Sequence, residues 1–156
     1  MLEPLRREHA DELAPVLHDI ALHRFIGGEP DSADELRARF ERQAVGHSPD
    51  GTERWLNWVV RVRGTGQAVG TMQATVSGSE RQAVAVLAWV VGVPYQRQGF
   101  AQEAAGLVVS WLRSRGVSCV RARIHPAHEA SMAVARAAGL LPTDVMEDGE
   151  VRWESS

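Results

Sequence analysis

Leu87-Ala88-Trp89-Val90-Val91-Gly92-Val93-Pro94-Tyr95-Gln96-Arg97-Gln98-Gly99-Phe100-Ala101 is the stretch that decides how this chain is read. From Leu87 to Val93 the residues are apolar and partly β-branched, in a run too short for most helices, so a buried strand is predicted. From Phe100 onward, Ala104, Leu107, Val108, Trp111 and Leu112 recur at three- and four-residue spacing, the apolar face of a helix. A short loop with glycine at the helix start joins the two. Strand, glycine loop and helix make a cradle for an anion: first-turn N–H groups have no partner within the helix and carry the positive end of its dipole. Gly99 lacks the Cβ that would hold a phosphate away, and the small Ala101 keeps the next approach open. Arg97 and Gln98 are expected to add side-chain donors to the rim.

The rest of the chain arranges itself around this unit. Residues 83–93 form the strand that enters it, and residues 68–76 and 55–62 read as the strands before, with Trp58, Val60 and Val62 alternating against Val59 and Arg61. Gly64-Thr65-Gly66 lacks the spacing of a dinucleotide loop and no helix follows, so it is a hairpin turn. Further upstream, residues 2–5 read as a short strand, and residues 8–20 as a helix with Leu13, Val16, Leu17 and Ile20 inward despite Pro15. Gly27-Gly28 and Pro30 break the chain. Asp31 or Ser32 then caps a helix running to about Val45, with Leu36, Phe40 and Val45 inward. Downstream, Arg115-Gly116 ends the central helix, residues 117–124 form a strand, and residues 129–138 an alanine-rich helix stopped by Gly139. Asp148-Gly149 joins a final strand pair, residues 140–146 and 150–154. The expected fold class is mixed α/β (α+β): one domain over residues 1–156, with a central, mostly antiparallel sheet of six or seven strands and about four helices.

Composition narrows the function. A chain of 156 residues with 44% hydrophobic content suits one domain with a substantial core and argues against disorder. A net charge of −3 argues against a nucleic-acid partner bound through a basic surface. Cys119, alone, excludes an internal disulfide framework and is expected buried within residues 117–124. No apolar run approaches a membrane span and the N-terminus shows no signal sequence, so the cytoplasm is the expected compartment. A homodimer is left open.

The motif itself carries a family likeness. Gln96-x-x-Gly99-x-Ala101 after a buried strand resembles the signature of the GNAT superfamily of acyl-CoA-dependent N-acetyltransferases. The resemblance implies acetyl-CoA as co-substrate, with its pyrophosphate on the loop formed by Gln96, Arg97, Gln98, Gly99, Phe100, Ala101 and Gln102. It implies that the preceding strand lends the backbone amides of Val91 and Val93 to the pantetheine arm and the thioester oxygen, with Val90 nearby. A second block, His125-Pro126-Ala127-His128-Glu129-Ala130-Ser131 followed by Ala135 and Gly139-Leu140, resembles the segment that opens a helix along the pantetheine. There His128 takes the usual asparagine position, Ser131 is the matched hydroxyl, and Ala135 stands where many members place a tyrosine acid. The chain most resembles the ribosomal-protein N-terminal acetyltransferase branch, to which Leu2-x-Pro4-Leu5 and a tryptophan-containing strand before Gly64 also conform. In that branch Ser131 would serve the leaving thiolate; the alternative is a serine that only helps satisfy a helix N-terminus. Residues 20–35 are implied to shape the acceptor pocket.

The implied chemistry is attack of a primary amine, on a small molecule or a protein N-terminus, on the acetyl thioester in a ternary complex. The amine must lose a proton and the oxyanion needs donors. Glu80, just before the motif strand, and Glu29, in the acceptor-side loop, are the carboxylates considered as base. His125 and His128 lack further ligands at metal spacing, so no metal is expected. The alternatives are an acyl-CoA-binding module without turnover and a transferase of longer acyl chains, which would need space near Trp89 and Val91.

Overall fold

The computed structural model describes residues 1–23 and 29–155. Its elements, in order, are β1 (Leu2–Pro4), α1 (His9–Leu17), α2 (Ala33–Ala44), β2 (Glu53–Arg61), β3 (Ala68–Ser77), β4 (Val84–Val91), α3 (Phe100–Ser114), β5 (Cys119–Ile124), α4 (Glu129–Ala137), β6 (Leu140–Glu147) and β7 (Glu150–Ser155). The strands form one seven-stranded sheet in the order β1-β2-β3-β4-β5-β7-β6. Every neighbouring pair is antiparallel except β4 and β5. Both parallel strands are followed by a helix, as a parallel connection requires.

Helices cover the sheet unequally. On one face α3 and α4 pack over β3 to β6, burying Met72, Ala74, Leu87, Val108, Leu112, Val120, Ile124 and Trp153. On the other face α1 and α2 cover only the β1–β3 side, around Leu13, Leu36, Phe40 and Val59. This explains why adjacent Val59 and Val60 are both buried, where alternation led us to expect one inward face. It also leaves the β4–β5–β7 part of the second face without a helix.

Local chemistry sets the boundaries. Ser32 caps α2 by accepting from the Glu35 N–H at 3.1 Å, and the Glu35 carboxylate accepts from the Ser32 N–H at 3.0 Å. Asp148 and Gly149, at φ 50° and 81°, make the tight turn between β6 and β7. Arg61 on β2 holds Glu3 at 2.6 Å and Glu12 at 2.6 Å, tying β1 and α1 to the sheet. The guanidinium keeps both carboxyls below their ordinary range.

Several expectations are corrected. Helix α1 contains Pro15 but stops at Leu17, and a 3-10 turn follows at Ile20–His23. Val45 is exposed, because α2 has ended at Ala44. On α3 the buried stripe is Ala104, Ala105, Val108, Val109 and Leu112, while Leu107 and Trp111 lie at its margin and are exposed. Trp111 instead meets Trp58 edge to face, with ring centroids 6.0 Å apart. Cys119 is only half-buried. The break expected at Gly27-Gly28 lies outside the described residues.

Candidate functional site

The parallel strands β4 and β5 part company at one end. Their pairing runs from Val84 opposite Cys119 to Leu87 opposite Ala122 and stops, although β4 continues to Val91 and β5 to Ile124. Along its other edge β5 stays paired with β7 through Arg123 and Ile124. The Gly92 N–H donates to the Val69 carbonyl at 2.8 Å, so β4 turns its even-numbered backbone groups to β3. The N–H groups of Trp89 and Val91 therefore point into the wedge where β5 has left. Gly70, opposite Val91, permits the tight β3–β4 contact here: a Cβ on it would sit 2.1 Å from the Val90 carbonyl oxygen.

Two helix N-termini stand over this wedge, because α3 follows β4 and α4 follows β5. Ahead of α3, Val93–Tyr95 form a 3-10 turn, and the chain then reaches Arg97 at φ 64° and Gly99 at φ 84°. Left-handed backbone at Arg97 costs about 1 kcal/mol or more. The N–H groups of residues 97–102 have no acceptor among the described residues; the first bond of the helix is from Glu103 N–H to Gly99 O at 3.0 Å. Nothing lies within 4 Å of where a Gly99 Cβ would be, so the cradle is open to solvent.

The side chains of this loop do other work than expected. Gln96 Nε2 donates to the Val91 carbonyl at 3.0 Å, occupying an acceptor that β4 would otherwise leave facing the wedge beside its amides. Gln98 Nε2 donates to the Pro94 carbonyl at 3.1 Å and braces the loop rather than its rim. Phe100 and Ala101 pack against the core, so their amides, not their side chains, face the cradle. Gln102 is exposed in the first turn, and Arg97 is an exposed cation at the mouth.

At the start of α4 the Ser131 hydroxyl lies 3.3 Å from His128 Nε2. His128 occupies the cap position without a side-chain cap bond, and Ser131 is already inside the helix. Ser131 is thus paired with an imidazole. Burial, with a smaller push from His125, lowers the His128 pKa below its ordinary 6.5, so the ring is neutral at pH 7. Ala135 is fully buried in the core.

Glu80 is excluded from the site by position. It precedes β4, whose start lies about 17–23 Å from the amides of Trp89 and Val91 in the wedge. Glu29 is exposed, next to residues outside the described set. A cavity of ≈ 240 Å³ between Arg61–Gly64, Phe100 and Glu103 lies on the β2 side of α3, away from α4 and the wedge. Among the described residues no group of three His, Cys, Asp or Glu side chains could hold a metal, and no helix is long and apolar enough to cross a membrane.

Residues 1–141 match the family model described as an acetyltransferase (GNAT) domain. The chain belongs to the GNAT acetyltransferase family. None of the curated proteins matches it in sequence. Among solved structures, the GNAT domain of S. lividans PAT is 21% identical, with 98% of this chain and 88% of that chain covered at a TM-score of 0.73. The aminoglycoside acetyltransferase AAC(6')-Ib, solved with coenzyme A and kanamycin, is 11% identical, with 100% and 94% covered at a TM-score of 0.80. A chimera of the spermidine N-acetyltransferase SpeG from Vibrio cholerae with hSSAT is 14% identical, with 99% and 93% covered at a TM-score of 0.75. At these identities the likeness is one of fold. The GNAT domain of this protein is a mixed α/β fold with a seven-stranded, mostly antiparallel sheet and four α-helices, as the sequence led us to expect.

Proposed function

We propose that this GNAT protein transfers an acetyl group from acetyl-CoA to a primary amine by direct attack in a ternary complex. The observation that carries the reading is the wedge between β4 and β5, with unpaired strand amides on one side and the N-termini of α3 and α4 above it. A linear ligand with an anionic end and an amide-rich arm fits such a groove: the anion on the amides of residues 97–102, the arm along Trp89 and Val91. The N–H of Val91 or, one step deeper along the arm, of Trp89 would then stand near the thioester oxygen and stabilise the charge that grows there on attack. Arg97 adds charge at the pyrophosphate. Gln96 fixes the strand by its bond to the Val91 carbonyl.

In this reading Ser131 donates a hydrogen bond to the departing thiolate. Its Oγ has the neutral His128 ring behind it at 3.3 Å, and an Nε2–H tautomer would donate to Oγ and leave the hydroxyl proton free for sulfur. A thiolate leaves readily, so positioning carries much of the rate, and the amine proton departs through water. The fully buried Ala135 offers no phenol, which gives some support to the rival reading of an acyl-CoA-binding module without turnover. One experiment separates them. Acetyl-CoA at saturating concentration should raise the thermal midpoint, and mixing with a panel of amines and peptide N-termini should release free thiol. A shift without thiol release selects the binding module; no shift removes both readings.

A further inference from the structure

A second cavity lies between α2 and the sheet, beside the place where β4 and β5 separate. This cavity, of ≈ 470 Å³, is roofed by Arg39, Arg42 and Gln43 of α2 and floored by Glu53, Trp55, Gln73, Thr75, Val86 and Arg123. Val86 and Arg123 flank the last β4–β5 pair, Leu87 and Ala122, so the floor ends where the strands separate. Three guanidiniums face one carboxylate in a chain whose net charge is −3. Glu53 is engaged by the Trp55 indole N–H at 3.2 Å.

The arginines are not consumed by one another's partners. Nearby Arg121 and Arg152 are balanced by Glu154 and Glu147, each at 2.9 Å. Arg39 reaches Asp31 at 2.9 Å with one terminal nitrogen, while its buried Nε has no hydrogen-bond partner among the described residues. Arg42 and Arg123 make no ion pair or hydrogen bond among the described residues; Arg123 feels Glu147 only at longer range. Two guanidiniums without an ion pair among the described residues, beside a third ion-paired with Asp31 alone, favour an anionic occupant.

We infer that the acceptor is a small amine carrying a carboxylate or phosphate, held by Arg39, Arg42 and Arg123 while its amine enters the wedge. The inference rests on the acetyl-transfer reading above and adds the acceptor's charge and length. Val86 lies three to five residues before Trp89 and Val91, whose amides face the wedge, so about 10–17 Å separates the anion from the reacting amine. That excludes reaction at the α-amine of a simple amino acid and favours an ω-amino acid or an aminoalkyl phosphate. It also sets this chain apart from proteins of the same fold solved with an aminoglycoside or named for spermidine, which are polycations.

The test compares ω-aminooctanoate, octylamine and the matching diamine as acceptors with saturating acetyl-CoA, following thiol release. The carboxylate should exceed the other two in kcat/KM by about tenfold or more, the worth of a charge-assisted hydrogen bond. Arg123→Gln and Arg42→Gln, both at exposed positions, should erase most of that preference through KM and leave the acetyl-CoA-induced rise in Tm unchanged. An aminoalkyl phosphate of equal length tells which anion is preferred. Equal or better turnover of the diamine, reaction of none of the three while acetyl-CoA still stabilises the fold, or selective turnover of an acidic peptide N-terminus each overturns the inference. Absence of any acetyl-CoA effect would instead remove the underlying reading.

Discussion

Gly99→Ala isolates the cradle from the fold, provided it is read beside Gly116→Ala. Both glycines sit in left-handed backbone, at φ 84° and 88°, at opposite ends of α3. Neither would bring a Cβ within 4 Å of any protein atom, so in the ligand-free protein each substitution costs only the backbone strain. That strain is about 1–2 kcal/mol. For a domain of this size it lowers Tm by roughly 2–8 °C in both variants. Acetyl-CoA at about 100 times its Kd adds about 2.7 kcal/mol to the native protein, or roughly 5–11 °C. In Gly99→Ala the new methyl stands in the place we assign to the pyrophosphate. About tenfold weaker binding there would halve the increment, to about 1.4 kcal/mol at the same concentration. In Gly116→Ala the full increment should remain. Thermal scans with and without ligand, followed by calorimetric titration of both variants, measure the difference. Equal acetyl-CoA increments in the two variants would refute the placement of the anion on this loop.

Three further outcomes are expected. Ser131→Ala should lower kcat by about 10- to 1000-fold, the loss of one donor to developing charge, with acetyl-CoA binding little changed. The acid limb of the wild-type rate should lie below pH 6.5, because the His128 pKa is lowered; unchanged kcat in a well-folded variant ends the assignment. Asp50 accepts from the Thr52 N–H and from the Ser48 and Thr52 hydroxyls, which lowers its carboxyl from 3.8 to about 2. Its stabilisation is thus complete above pH 3.8 and lost as pH falls through about 2, so Asp50→Asn should flatten that part of the acid-unfolding curve, and an unaltered slope would contradict the turn's role.

The anion loop was legible because its determinants are local: an apolar run, then Gly99, then a helical period. The wedge was implied only by family likeness, because it arises where β4 and β5, about thirty-five positions apart in the chain, stop pairing. Glu80 shows the converse error: closeness in sequence to a motif strand became a strand's length of separation in space. Leu107 and Trp111 satisfied the helical spacing, yet the stripe that α3 buries runs through Ala104, Ala105, Val108, Val109 and Leu112 and leaves both at its margin. The arginine-lined cavity was missed because Arg37, Arg39 and Arg42 look like the solvated side of an amphipathic helix. One signal was present: in Val120-Arg121-Ala122-Arg123-Ile124 an alternating strand turns its arginines to one face, and no helix follows in the chain to cover that face.

The outer edge of the sheet has a consequence for how copies of this protein can meet. Strand β6 is the border strand, and its pairing with β7 is irregular between Pro142 and Met146. Pro142 has no N–H to offer, the Val145 N–H is taken by Thr143 Oγ1 at 3.2 Å, and that hydroxyl donates to the Arg152 carbonyl at 2.8 Å. A visiting strand would find a broken row of donors and acceptors, and the opposite border, β1, is only three residues long. The sheet is thus closed to growth by strand addition at both ends. Two copies that associate must do so through side chains, and the exposed Leu141, Val145 and Met146 on β6 are where apolar surface is available for it.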